Sequence, residues 1–185
     1  MPRIAILGGG LCGRLTALQL AEQGLSIALF DKGGRKGEHA AAYVAAAMLA
    51  PAAEAVEATP EVIKLGRQSI PLWRDIRGRL KMPTMMQENG SLIVWHGQDK
   101  PLSSEFVRHL KRGGVADDEI IRWRADDIAK REPQLGGRFS DGIYLPTEGQ
   151  LDGRQMLSAL ADALDGLNVP CHWEHECAPE DLQAQ

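Results

Sequence analysis

The chain has 185 residues, 21 of them basic and 25 acidic for a net charge of −4, and 44% of them are apolar. That composition fits an ordinary globular domain plus a fraction of another and excludes a disordered chain. The missing basic excess argues against nucleic acid as a partner. No stretch nears the roughly 20 apolar residues that cross a bilayer, so no membrane role is expected.

Arg3-Ile4-Ala5-Ile6-Leu7 is a short apolar run ending in glycines and reads as a buried parallel strand. Gly8-Gly9-Gly10 and Arg14 break any signal-peptide core that this run might suggest. Leu11, Leu15 and Leu18 then recur at helical spacing, with Gly24 as the residue just past the helix end. Ser26 to Phe30 reads as a second strand, closed by Asp31. The three elements predict a βαβ unit with a right-handed crossover in a parallel sheet. A basic, glycine-rich turn (Lys32 to Gly37) follows, and then a segment in which eleven of the nineteen residues from Ala40 to Ala58 are alanine. That segment reads either as a surface helix of good helix formers or as a backbone kept bare so that something flat can lie against it.

Thr59-Pro60-Glu61 starts a helix with a hydroxyl cap, a proline in the first turn and an early acid. Its apolar stripe runs from Ile63 to Leu80, with a kink expected at Pro71. Met85 to Glu88 and Ser91 to Trp95, joined at Asn89-Gly90, read as a β-hairpin. A helix over Pro101 to Arg112, a strand over Ile120 to Trp123, a helix over Ala125 to Glu132 and a strand over Gly142 to Pro146 come next. Gly153 to Leu164 is an amphipathic helix, and Val169 to Cys177 reads as a strand. The pattern is α/β at both ends with a mixed insertion between roughly residues 82 and 140.

Gly8, Gly10 and Gly13 form G-x-G-x-x-G with a strand before and a helix after. In that pattern Gly8 makes the tight turn, Gly10 leaves room for a pyrophosphate, and Gly13 lets the helix pack close to the sheet. The exposed amides at the helix start favour phosphate charge. Asp31, 18 residues past Gly13, can accept hydrogen bonds from ribose hydroxyls. Asp31 would repel the 2′-phosphate of NADP, so Lys32, Arg35 and Lys36 read as a solvated loop. The glycine pattern alone does not separate NAD from FAD.

Other groupings carry less. Cys171, His175 and Cys177 fall on one face if the last segment is a strand, with His172 opposite, yet no second ligand pair lies nearby for zinc. Three cysteines are an odd and sparse set, which argues for reduced thiols and a cytoplasmic setting. Cys12 reads as a small packing residue, Trp73, Trp95, Trp123 and Trp173 as core or rim, and Asp126-Asp127 as first-turn helix charge.

Ile6-Leu7-Gly8-Gly9-Gly10, Phe30-Asp31-Lys32-Gly33 and above all Ala45-Ala46-Ala47-Met48-Leu49-Ala50-Pro51 resemble the N-terminal part of FAD-dependent amine oxidases of the D-amino-acid oxidase and glycine oxidase type. Glu148 to Arg154 is similar to the family segment that returns the chain to the FAD domain, and Val169 to Cys177 to the strand after it. The resemblance implies a Rossmann-like FAD-binding domain in two parts, residues 1–81 and 141–185, with part of a mixed α/β substrate domain over 82–140. It implies FAD as cofactor, with Gly8, Gly10, Leu11, Cys12 and Gly13 at the pyrophosphate and Asp31 and Lys32 at the ribose. Ala46, Ala47 and Met48 would pass near the flavin, and Cys177 would meet adenine through its backbone.

The implied activity is oxidation of a small amine or amino acid, glycine favoured, with O2 as acceptor, in thiamine biosynthesis. Homo-oligomers are possible in such a protein. An NAD-linked dehydrogenase sharing the opening, and a non-catalytic fragment, are the alternatives. The sequence departs from the family pattern at Ala40-Ala41-Ala42, where the family has Thr or Ser, and at Ala47, where it often has Gly. Family members are about twice as long, so the catalytic groups are expected beyond residue 185, in a chain read as truncated.

Overall fold

The computed structural model describes residues 4–182. The fold is α/β, and the chain divides into two compact units. The first runs to Ala47, takes in Asp75–Met85 and resumes at Leu151; the second comprises Met48–Arg74 and Met86–Gln150.

In the first unit β1 (Ile4–Leu7), α1 (Leu11–Glu22) and β2 (Ile27–Phe30) form the expected βαβ opening. β1 and β2 pair in parallel from Ile4↔Ile27 to Leu7↔Phe30. The end of α1 follows its sequence signal closely. Gly24 sits at φ +78, its N–H donates to the Ala21 carbonyl, and the Leu25 N–H donates to that of Leu20. That left-handed pair of bonds satisfies two carbonyls the helix would otherwise leave open. α6 (Gly153–Gly166) packs on α1, burying Met156, Leu157, Leu160, Ala161 and Leu164 in the same core as Ala17, Leu18 and Ile27 to Leu29. Asp152 caps α6 by accepting from the N–H groups of Arg154 and Gln155, both at 2.9 Å.

β9 (Cys171–His172) completes a three-stranded sheet in the order β1-β2-β9, parallel to β2. Two expectations need correction here. β1 is an edge strand rather than a buried one: Ala5 and Leu7 are exposed, because among the described residues it is paired on one side only. The last strand is two residues long, not nine. The chain turns at Trp173-Glu174, with Glu174 at φ +55, so Cys171, His175 and Cys177 do not share a strand face. No cluster of potential metal ligands occurs among the described residues.

The alanine-rich segment is not a continuous helix. It forms a single turn, α2 (Ala41–Val44), then β3 (Met48–Leu49), then a 3-10 turn over Ala53–Val56. α3 (Pro60–Arg79) starts where Thr59 predicts and continues through Pro71.

The expected hairpin does not form either. β4 (Met86–Gln87) joins a sheet ordered β3-β8-β4, where β8 is Gly149–Leu151. β5 (Ser91–Val94) pairs instead with β7 (Asp141–Leu145), which also pairs with β6 (Ile121–Arg124). Both partners of β7 are antiparallel to it. This sheet, α4 (Lys100–Arg112) and the 53–56 turn enclose the second unit's core of Ala52, Ala55, Ile63, Leu110, Val115, Ile143 and Leu145. α5 (Ala125–Arg131) follows β6, with the Asp127 carboxylate accepting from the Arg124 N–H at 3.0 Å, a capping role that fits the expected first-turn charge. No helix of the described residues is long and apolar enough to cross a membrane.

Candidate dinucleotide site

Gly8 leaves β1 at φ +107, a conformation that costs a side chain dearly and glycine little. Its N–H still donates to the Phe30 carbonyl at 2.8 Å, so the turn begins from the sheet itself. Gly10 caps α1 with extended backbone and no side-chain bond. Among the described residues nothing accepts from the N–H groups of Leu11 and Cys12, which the open helix end leaves free. A Cβ on Gly13 would collide with the Gly8 carbonyl oxygen, so a glycine there lets α1 close onto the turn.

Asp31 ends β2 beside this turn. Its carboxylate accepts from the Gly9 N–H through one oxygen and from the Gly33 N–H through the other at 2.6 Å. Gly8, Gly10, Leu11, Cys12, Gly13, Asp31 and Lys32 are therefore brought together at the carboxyl ends of two adjacent parallel strands, the edge at which α/β sheets bind ligands. Cys12 and Lys32 are exposed there; the expectation that Cys12 is a packing residue does not hold. Arg35 is taken up within the chain, bonded to Asp162 at 2.5 Å and Asp165 at 2.6 Å.

The remaining expected residues lie elsewhere along the backbone. Ala46 is exposed, and Ala47 sits at φ +52 with its carbonyl accepting from the Leu151 N–H at 3.1 Å. That left-handed angle explains why glycine suits position 47. Met48, 60% exposed, opens β3 in the second unit. Cys177 follows a loop in which the Glu174 N–H donates to the Gly33 carbonyl and the His175 N–H to that of Asp31, both at 2.9 Å. Ala40 lies beside the turn, its Cβ 3.8 Å from where a Cβ on Gly10 would stand, so no hydroxyl is offered at that point.

Two residues, Arg14 and Trp173, pack against this turn in roles the sequence did not reveal. Arg14 is fully buried and bonds the carbonyls of Gly9, Leu157 and Arg35 at 2.5, 2.6 and 2.9 Å. Its signal was a charge within three residues of Leu11 on an otherwise apolar helix face. Trp173 lies against Gly9 and stacks its ring 4.7 Å from the Arg14 guanidinium carbon. In the second unit Glu148 is fully buried, with one oxygen accepting from the Ala53 N–H at 2.7 Å. Burial pushes its carboxyl above the ordinary carboxylate range, against the hydrogen bonds that hold it.

Residues 3–179 match the family model of the FAD dependent oxidoreductases named DAO. The chain belongs to the DAO family. It is 33% identical over 163 residues to a protein of Rhizobium etli named as a thiamine biosynthesis oxidoreductase, ThiO, covering 88% of this chain and 46% of that one. It is 27% identical over 167 residues to the glycine oxidase of Geobacillus kaustophilus, covering 86% and 42%. The glycine oxidase structure from Bacillus cereus superposes with a TM-score of 0.77 at 20% identity, over 94% of this chain and 46% of that one. This DAO-family chain thus spans about half the length of the curated relatives it matches. FAD is the cofactor the family implies, and the residues fit it: open amides at a glycine turn, with a carboxylate fixed at the end of the next strand.

Proposed function

We propose that the glycine turn of the first unit holds the diphosphate of FAD and that the chain is part of an oxidase acting on a small amine or amino acid, glycine favoured. The observation that carries this reading is the pairing of the open Leu11 and Cys12 amides with the Asp31 carboxylate at adjacent strand ends. The amides meet phosphate oxygens without a cationic side chain, and the helix dipole adds to the attraction. Asp31 is already fixed by Gly9 and Gly33 through one lone pair on each oxygen, which leaves further lone pairs for ribose hydroxyls. Gly8, Gly10 and Gly13 keep the approach free of side chains, and Lys32 stands beside the ribose position.

FAD, when bound, supplies the acceptor for two electrons from the amine, with O2 as the final oxidant. Ala46, Ala47 and Met48 provide small or flexible groups along the flavin, and Cys177 a backbone contact at adenine. The names of the relatives support glycine as substrate and thiamine synthesis as setting.

The test is FAD retention by wild-type and Asp31→Ala protein after gel filtration. Losing one charge-assisted bond to each ribose hydroxyl should weaken retention about tenfold or more. Equal retention by the two proteins would remove Asp31 from the site. Amine-dependent peroxide formation, assayed across glycine and its N-methyl analogues, tests the substrate.

A further inference from the structure

Arg14 is the one fully buried cation of the described residues, and it lies directly behind the glycine turn. Its guanidinium ties three segments together: the turn through Gly9, the basic loop through Arg35 and α6 through Leu157. The close packing extends to Gly37, at φ +77, where a Cβ would stand 3.1 Å from an Arg14 nitrogen. Each of its three nitrogens donates to a carbonyl and the Trp173 ring covers one face, yet among the described residues no carboxylate lies within ion-pair distance of it. Asp31 and Glu38 act on it from a distance and offset its charge in part; a buried charge without a direct ion pair still leaves a positive field around it. Trp173 covers one face of the guanidinium and keeps water from that side.

We propose that Arg14 is the positioning residue and fixed counter-charge of the diphosphate site: it acts through Gly9, shaping the turn and placing a positive charge behind the amides without touching the ligand. The assignment rests on the dinucleotide reading above and adds to it the source of charge selectivity. The ligand class it favours is a diphosphate over a monophosphate of the same nucleoside.

ADP and AMP, titrated calorimetrically into the chain, read this directly. Arg14→Gln removes the charge and the clamp together. Cys171→Asp leaves Arg14 in place and adds a carboxylate on β9, two residues before the Trp173 that covers the guanidinium; Cys171→Asn is its neutral control. The preference for ADP over AMP should fall about tenfold in Arg14→Gln and in Cys171→Asp, as expected for one charge interaction at intermediate dielectric. It should hold in Cys171→Asn, and Cys171→Asp should melt no lower than that control. An unchanged preference in a folded Cys171→Asp protein overturns the proposal, as does a parallel loss of ADP and AMP in Arg14→Gln. Wild-type protein that binds neither ADP nor FAD would instead overturn the dinucleotide reading itself, and this proposal with it.

Discussion

Single residues in this chain are constrained by close approach more than by chemistry. Gly13 and Gly153 show it most clearly: a Cβ at either would run into a backbone carbonyl, that of Gly8 and that of Ala42. Gly13→Ala and Gly153→Ala should each destabilise the chain by about 1–3 kcal/mol, the usual range for overpacking, read from urea denaturation midpoints. Ala47 presents the opposite case. Its φ of +52 strains an L-residue, so Ala47→Gly should be stabilising by up to about 1 kcal/mol, the relief of a left-handed angle less the added freedom of the unfolded chain. Glu148 makes a prediction in pH. Its folded carboxyl titrates above its unfolded value, so the native state binds the extra proton and stability falls as pH rises from about 4.3 through the folded value. Glu148→Gln keeps an acceptor for the Ala53 N–H and removes this titration; its stability should lose that decline and exceed wild type at the alkaline end. A variant that keeps the wild-type slope would place the titrating group elsewhere.

Elements were legible where their signals are local. The βαβ opening, α3, α4 and α6 follow from periodicity, caps and glycine stops within their own few residues. Asn89-Gly90 is a strong local turn signal, and Gly90 does sit at φ +80. The strands on either side nonetheless find partners some fifty to sixty residues later, Ser91 opposite Leu145 and β4 beside β8. Pairing at that distance leaves no mark near the turn, which is why the hairpin reading failed. β9 fails for a related reason: the reversal at Trp173-Glu174 uses a left-handed glutamate in place of the glycine or asparagine that would advertise it. The alanine-rich segment has helical composition, but Ala47 and the pairing of β3 with β8 turn it away from a helix. Tertiary contacts override propensity there. Of the site, the glycines and Asp31 were readable because they form a spaced motif. Arg14 left only a weak trace, a single charge on an otherwise apolar helix face, and its carbonyl partners lie as far off as Leu157.

At the scale of the molecule, the chain is a DAO-family unit of about half the length of its relatives, with the glycine turn and Asp31 at the carboxyl ends of β1 and β2. Among the described residues β1 (Ile4–Leu7) is paired on one side only, and open edges of this kind invite pairing with another strand. Gel filtration against concentration should accordingly show self-association, which a bulge-forming Ala5→Pro reduces; a monomer at every concentration would mean the edge is protected. Dinucleotide binding by this chain would rest on the open glycine turn and its neighbouring acid. The direct measurement is a titration of the chain with FAD, followed by flavin absorbance (bands near roughly 375 and 450 nm, set by the cofactor's own electronics), with ADP as competitor. Saturation at one FAD per chain, displaced by ADP, is the predicted result. A folded chain that leaves the flavin spectrum unchanged and does not compete with ADP would contradict it.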